Sequence, residues 1–174
     1  MGTKGLFGFK YKNIYYLVYN QYDSYFSYLG INLLTEIKTA LKFNRIDEWK
    51  KKIEKLKIVK YNDEPTAEDI EKLSKSDLTN STDLTDWFYL LENRQQSYSK
   101  ILDSGYVYSD VYNERSIDNH VGIEYQYILN FDDSQFEIKS SSVNICINIE
   151  DIKNVDFELL NKEILNKKSQ SSLI

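Results

Sequence analysis

The chain holds one histidine, one cysteine and one proline in 174 residues, and each scarcity removes a class of reading. Cys146 alone cannot close an internal disulfide, which fits a reducing compartment. With His120 as the only histidine, a zinc constellation or a Cys/His pair lacks residues unless those two meet in space. No run of about 18 apolar residues occurs, so no membrane-spanning helix is expected. The N-terminus lacks the charged-then-apolar order of a signal peptide, and Leu6 stands where myristoylation wants a hydroxyl. The expectation is an unlipidated, cytoplasmic protein. A net charge of −5 gives no global pull on phosphate backbones and leaves only Lys50, Lys51, Lys52 and Lys55 as a local basic patch. Neither nucleic acid nor membrane is expected as a partner.

Phosphate-cradling and calcium loops are missing as well. Gly5 and Gly8 are followed by strand-like residues and not by a helix start, so they read as points of close backbone approach inside a strand. Asp132 and Asp133 lack the spaced oxygen ligands of a calcium loop and read as a hairpin turn. No cofactor, metal or catalytic residue is expected from these patterns.

What the chain has is aromatic and β-branched sequence in a helix-and-strand order. "LFGFKYK" and "IYYLVYN" flank Lys12-Asn13 and predict a hairpin. Helical spacing follows in Leu33, Ile37, Ala40 and Leu41, then in Ile46, Trp49, Ile53 and Leu56. Thr66 three residues before Asp69 predicts the start of a third helix burying Ile70 and Leu73. Leu84, Trp87, Phe88 and Leu91 form a fourth stripe, expected to stop well before Gly105.

After Gly105 the period becomes two. Ile123, Tyr125, Tyr127, Leu129 and Phe131 alternate with polar residues and Ile128, Phe136 and Ile138 resume the pattern, and Val143, Ile145, Ile147 and Ile149 continue it. Phe157, Leu160 and Ile164 predict a last helix. The reading is an α+β domain over residues 1–166 and a disordered tail over 167–174. Its antiparallel sheet combines the N-terminal hairpin with the C-terminal meander, and the central helices cover it.

The opening "MGTKGLFGF", followed by "YNQYDSYFSYLG", resembles an uncharacterised family of short proteins from phages, bacteria, large DNA viruses and fungi. Its members begin Met-Gly-Thr-Arg and soon show Asn-His-aromatic-Asp-Ser/Gly-Tyr-Pro. Matched positions are Gly2, Thr3, Asn20, Tyr22, Asp23, Ser24, Tyr25, Leu29 and Gly30, and "IEYQYILNFDDSQFEIK" resembles a strand pair of the same proteins. Lys4, Gln21 and Phe26 replace an arginine, a histidine and a proline, and the lost histidine would be the only general base in the motif.

Two readings of the segment stand side by side. Asp23 and Ser24 could form a local turn joining strand to helix, with the tyrosines as partly buried core. Alternatively Thr3, Lys4, Asn20, Tyr22, Asp23, Ser24 and Tyr25 line a tyrosine-rich pocket for a small polar ligand or a partner protein, in a non-catalytic, phage- or virus-associated binding protein. A third possibility is an N-terminal-nucleophile-like amide hydrolase, on a fold of that kind, with Thr3 as nucleophile if the residues before it were removed. The uncharged strand "VNICINI" has no lysine, proline or bulge, so it predicts either an inner strand or one that pairs with another chain, in self-association or a larger assembly.

Overall fold

The computed structural model describes residues 2–60, 62–74, 86–91, 97–108 and 122–172. Strands β1 (Gly5–Tyr11) and β2 (Ile14–Asn20) form the expected hairpin, with Lys12 and Asn13 both at positive φ, 52° and 63°. That is the pair of left-handed residues a two-residue turn needs to match strand twist. Helices α1 (Ile31–Lys42) and α2 (Ile46–Glu54) follow, then β3 (Lys57–Val59), α3 (Ala67–Ser74), α4 (Trp87–Leu91), α5 (Tyr98–Ser104) and β4 (Tyr106–Tyr108). The chain closes with β5 (Tyr125–Asn130), β6 (Gln135–Ser140), β7 (Val143–Asn148), a 3-10 turn over Ile149–Asn154, and α6 (Phe157–Ser172).

The protein is α+β. Its main sheet runs β2-β1-β5-β6-β7 and is mostly antiparallel, so the hairpin and the meander do share one sheet. The seam between them is parallel, because β1 pairs with β5 from Gly5↔Tyr125 to Lys10↔Asn130. A parallel pair needs a long crossover between its strands, and the helical middle of the chain supplies it.

Helices cover one face of this sheet. Phe7, Phe9, Tyr127, Leu129, Phe136 and Ile138 meet Leu34 and Ile37 of α1, Trp49 and Ile53 of α2, Tyr98 and Ile101 of α5, and Leu160 and Ile164 of α6. Tyr98 is the hinge of the packing, its ring 4.7 Å from that of Phe9. Its hydroxyl is pushed well above the ordinary tyrosine value by burial and then by the nearby Glu36 carboxylate. The other face is also dry over the central strands, where Leu6, Leu17, Gln126, Ile128 and Asn130 are buried.

The helical middle holds two features that periodicity does not show. The parallel strands β3 and β4 form a separate small sheet, each only three residues long and too short for a period-two signal. Around it Val59, Leu73, Trp87, Leu90, Leu91 and Tyr106 make a second core. Phe88, expected on the inner stripe, is half exposed, and Leu90 takes the inner place. Spacing explains it, since 87, 90 and 91 share a helix face and 88 lies about 100° away. Leu84 and His120 lie outside the described residues. Helix α5 runs up to Gly105, with Ser97 accepting from the Lys100 amide at 3.1 Å and Gly105 in the left-handed conformation at its end. The expected tail from residue 167 is helical as far as Ser172. Lys168 holds it down, its Nζ 3.8 Å from the centre of the Tyr125 ring.

Candidate functional site

Asn20 ends β2, and the next ten residues lead into α1 through a π-helical turn over Phe26–Gly30. Ser24 is fully buried at the centre of this passage. Its amide donates to the Thr3 carbonyl at 3.2 Å, its Oγ accepts from Asn20 Nδ2 at 2.7 Å, and its carbonyl accepts from the Tyr127 hydroxyl at 2.7 Å. Gly5 makes room for it, since a Cβ there would lie 2.7 Å from both Ser24 Cβ and Oγ. Burial drives the Tyr127 hydroxyl far above its usual value, so it stays a proton donor at any ordinary pH. The expected turn is thus a brace tying the N-terminal strand, the β2–α1 passage and β5 together.

The brace sorts the seven expected site residues. Thr3 and Ser24 are buried and serve the brace. Asn20 is half-buried and donates to both Ser24 Oγ and the Tyr22 carbonyl. Lys4 is half-buried, its amide donating to Glu124 Oε2 at 3.2 Å and its carbonyl accepting from the Glu124 amide at 2.9 Å. Only Tyr22, Asp23 and Tyr25 stand out in solvent. Asp23 sits at φ 56°, a left-handed conformation that Asp tolerates better than most residues.

Tyr28, which the sequence reading left out of the site, belongs with the exposed group. Tyr22, Tyr25 and Tyr28 are 65%, 51% and 60% exposed, and Asp23 and Ser27 between them also stand in solvent, whereas Ser24, Phe26, Leu29 and Gly30 are buried. The signal was present as three tyrosines spaced three apart. Each is anchored differently: the Tyr22 ring packs over Gly2, where a Cβ would lie 2.2 Å from Tyr22 Cδ1. Tyr25 meets Tyr125 edge-on at 6.1 Å, and its carbonyl accepts from the Tyr28 amide at 3.1 Å.

A cleft of about 160 Å³ lies elsewhere, between α1, the start of α2 and α5, lined by Thr35, Glu36, Thr39, Arg45, Trp49 and Ser99 among others. Its carboxylate is already engaged, because Glu36 accepts from the Tyr98 and Ser99 amides at 3.1 and 3.2 Å. The lysines of α2 do not make a uniform basic patch, since Lys52 bridges Glu48 at 3.3 Å and Asp103 at 3.1 Å. Among the described residues no cluster of His, Cys, Asp and Glu could hold a metal ion, and no helix is long and apolar enough to cross a membrane. Cys146 is exposed, and its thiol is pushed up by desolvation and by the Glu137 carboxylate, which makes it a weak nucleophile near neutral pH. No protein-family model, curated protein or solved structure matches the chain.

Proposed function

We propose that this protein is a non-catalytic binding protein that engages a small polar ligand or a partner protein through Tyr22, Tyr25 and Tyr28, with Asp23 between the first two. The observation that carries the reading is the contrast inside one short segment: three exposed phenols are held on a backbone pinned by the buried Ser24. Phenol rings offer large contact area at small entropic cost and keep a hydroxyl for hydrogen bonding. A pinned backbone lowers the cost of ordering them. The site is an exposed ridge, which suits a protein partner or a ligand lying across it better than one enclosed by it.

The resemblance of the opening segment to phage and viral proteins supports a viral setting, and the positions that carry it are those of the brace and the ridge. The hydrolase alternative needs an accessible Thr3 hydroxyl, and Thr3 is only 5% exposed. No observation favours that alternative.

The test is capture by immobilised protein, comparing wild type with a Tyr22→Ser, Tyr25→Ser, Tyr28→Ser variant. The variant should keep its melting temperature within a few degrees, since these side chains are exposed. Its captured partner or fragment should disappear. Equal capture by the two proteins would remove the ridge from the function.

A further inference from the structure

Strand β7 lies at one end of the five-stranded sheet, and the parity of its ladder shows which backbone groups are left over. The Ile149 amide donates to the Ser134 carbonyl at 3.0 Å, one step beyond the pair Gln135↔Asn148. Bonded and non-bonded pairs alternate along an antiparallel ladder, so Phe136↔Ile147, Ile138↔Ile145 and Ser140↔Val143 are the bonded ones. The N–H and C=O groups of Asn144, Cys146 and Asn148 therefore point away from β6. All three residues are exposed, but the Asn148 carbonyl caps the 3-10 turn over Ile149–Asn154, so the free edge groups are the N–H and C=O of Asn144 and Cys146 and the N–H of Asn148.

Natural edges are usually blunted by lysine, proline, a bulge or a cover. This strand has no charge and no proline, and its pairing with β6 runs without a skipped residue. The sequence is also self-complementary. A two-fold axis through Cys146 sets Cys146 opposite its counterpart, with both main-chain bonds available, and Asn144 opposite the second copy's Asn148, whose N–H is free to donate to the Asn144 carbonyl. It sets Ile145 opposite the second copy's Ile147, both half-exposed, on the helix-covered face. Amides meet amides and isoleucines meet isoleucines, with no like charges brought together.

We propose that β7 is a homodimer interface, in which two copies pair their β7 strands antiparallel about Cys146 and join their sheets into one. This surface is separate from the tyrosine ridge and does not depend on the function read there. An isologous contact of this kind closes on itself, so the product is a dimer and not a fibre.

Two measurements on the full chain decide it. Sedimentation from about 1 to about 200 µM should show a monomer–dimer equilibrium, a range in which small, wet contacts dissociate. Amide hydrogen exchange should then slow at Cys146 and Asn148 as concentration rises, while Ile145 and Ile147, already bonded to β6, stay constant. Asn144→Lys places a charge on the edge and Cys146→Pro removes an N–H that β6 does not use. Each should weaken dimerisation roughly tenfold or more without unfolding the chain. A monomer throughout, or a dimer whose edge amides exchange as freely as in the monomer, would overturn the proposal. So would a dimer that both substitutions leave intact, since it would use another surface.

Discussion

The Tyr127 hydroxyl donates a 2.7 Å hydrogen bond to the carbonyl of Ser24, joining the middle strand of the sheet to the passage that leads into α1. Both residues are wholly buried, so the bond has no water to replace it. Tyr127→Phe leaves the ring in place and orphans the Ser24 carbonyl, which should cost about 1–2 kcal/mol in urea unfolding. Amide exchange in residues 20–30 should rise more than in β6. Unchanged stability would mean that the brace does not hold this end of the fold.

A second buried contact gives the protein an acid-sensitive corner. Asp69 is 7% exposed and accepts from the Tyr106 hydroxyl at 2.6 Å and from the Thr66 amide and hydroxyl, each at 2.9 Å. Burial opposes its ionisation, but these hydrogen bonds and the Lys57 ammonium outweigh burial and bring its pKa down to about 2 from 3.8. A folded value below the unfolded one means that the carboxylate stabilises the fold above pH 3.8, and that this is lost as pH falls through about 2. Asp69→Asn should therefore lower unfolding free energy by ~1–2 kcal/mol near neutral pH, allowing for solvent screening. Between pH 5 and pH 2 the gap from wild type should close. A gap independent of pH would assign the effect to packing alone.

The turn of the first hairpin carries a third prediction. Asp132, between β5 and β6, accepts from the Lys12 amide at 2.7 Å and from the Asn13 amide at 2.9 Å. One carboxylate thus fixes the turn that sets the β1–β2 register. Asp132→Ala should cost about 1 kcal/mol, the ordinary worth of exposed main-chain hydrogen bonds to a charged acceptor. Asp132→Asn, with one oxygen left to accept, should recover part of the loss in the same unfolding measurement.

Much of this was legible from spacing. The Lys12-Asn13 hairpin, the Thr66/Asp69 capping pair and the alternation through Ile138 and Ile147 are local patterns, and local patterns survive into the fold. The brace was not legible, because Ser24 meets Thr3, Gly5 and Tyr127 across long stretches of chain, and one sequence shows a serine after an aspartate equally well in a turn or a pocket. The same limit hid the parallel seam between β1 and β5. It also hid Asp132, read as a turn residue for its own hairpin, whose carboxylate reaches the first one. Tyr28 is not one of the positions that carry the family resemblance, and an exposed tyrosine and a core tyrosine look alike in a single sequence.

Asp23 separates the fold of its segment from the binding proposed for it. At φ 56° it holds the left-handed corner between the Tyr22 and Tyr25 positions, and its side chain is exposed. Asp23→Asn preserves the backbone preference and removes the charge, so the melting temperature should stay unchanged. Asp23→Val removes both and forces a β-branched residue into a conformation it avoids, which should cost about 1–2 kcal/mol and shift the flanking tyrosines. If the ridge recognises its ligand through the carboxylate, both variants lose capture. If it works through tyrosine placement, Asp23→Asn binds like wild type and Asp23→Val does not. Full capture by Asp23→Val, with the expected loss of stability, would show that this corner serves the fold only and would count against the ridge as a binding surface.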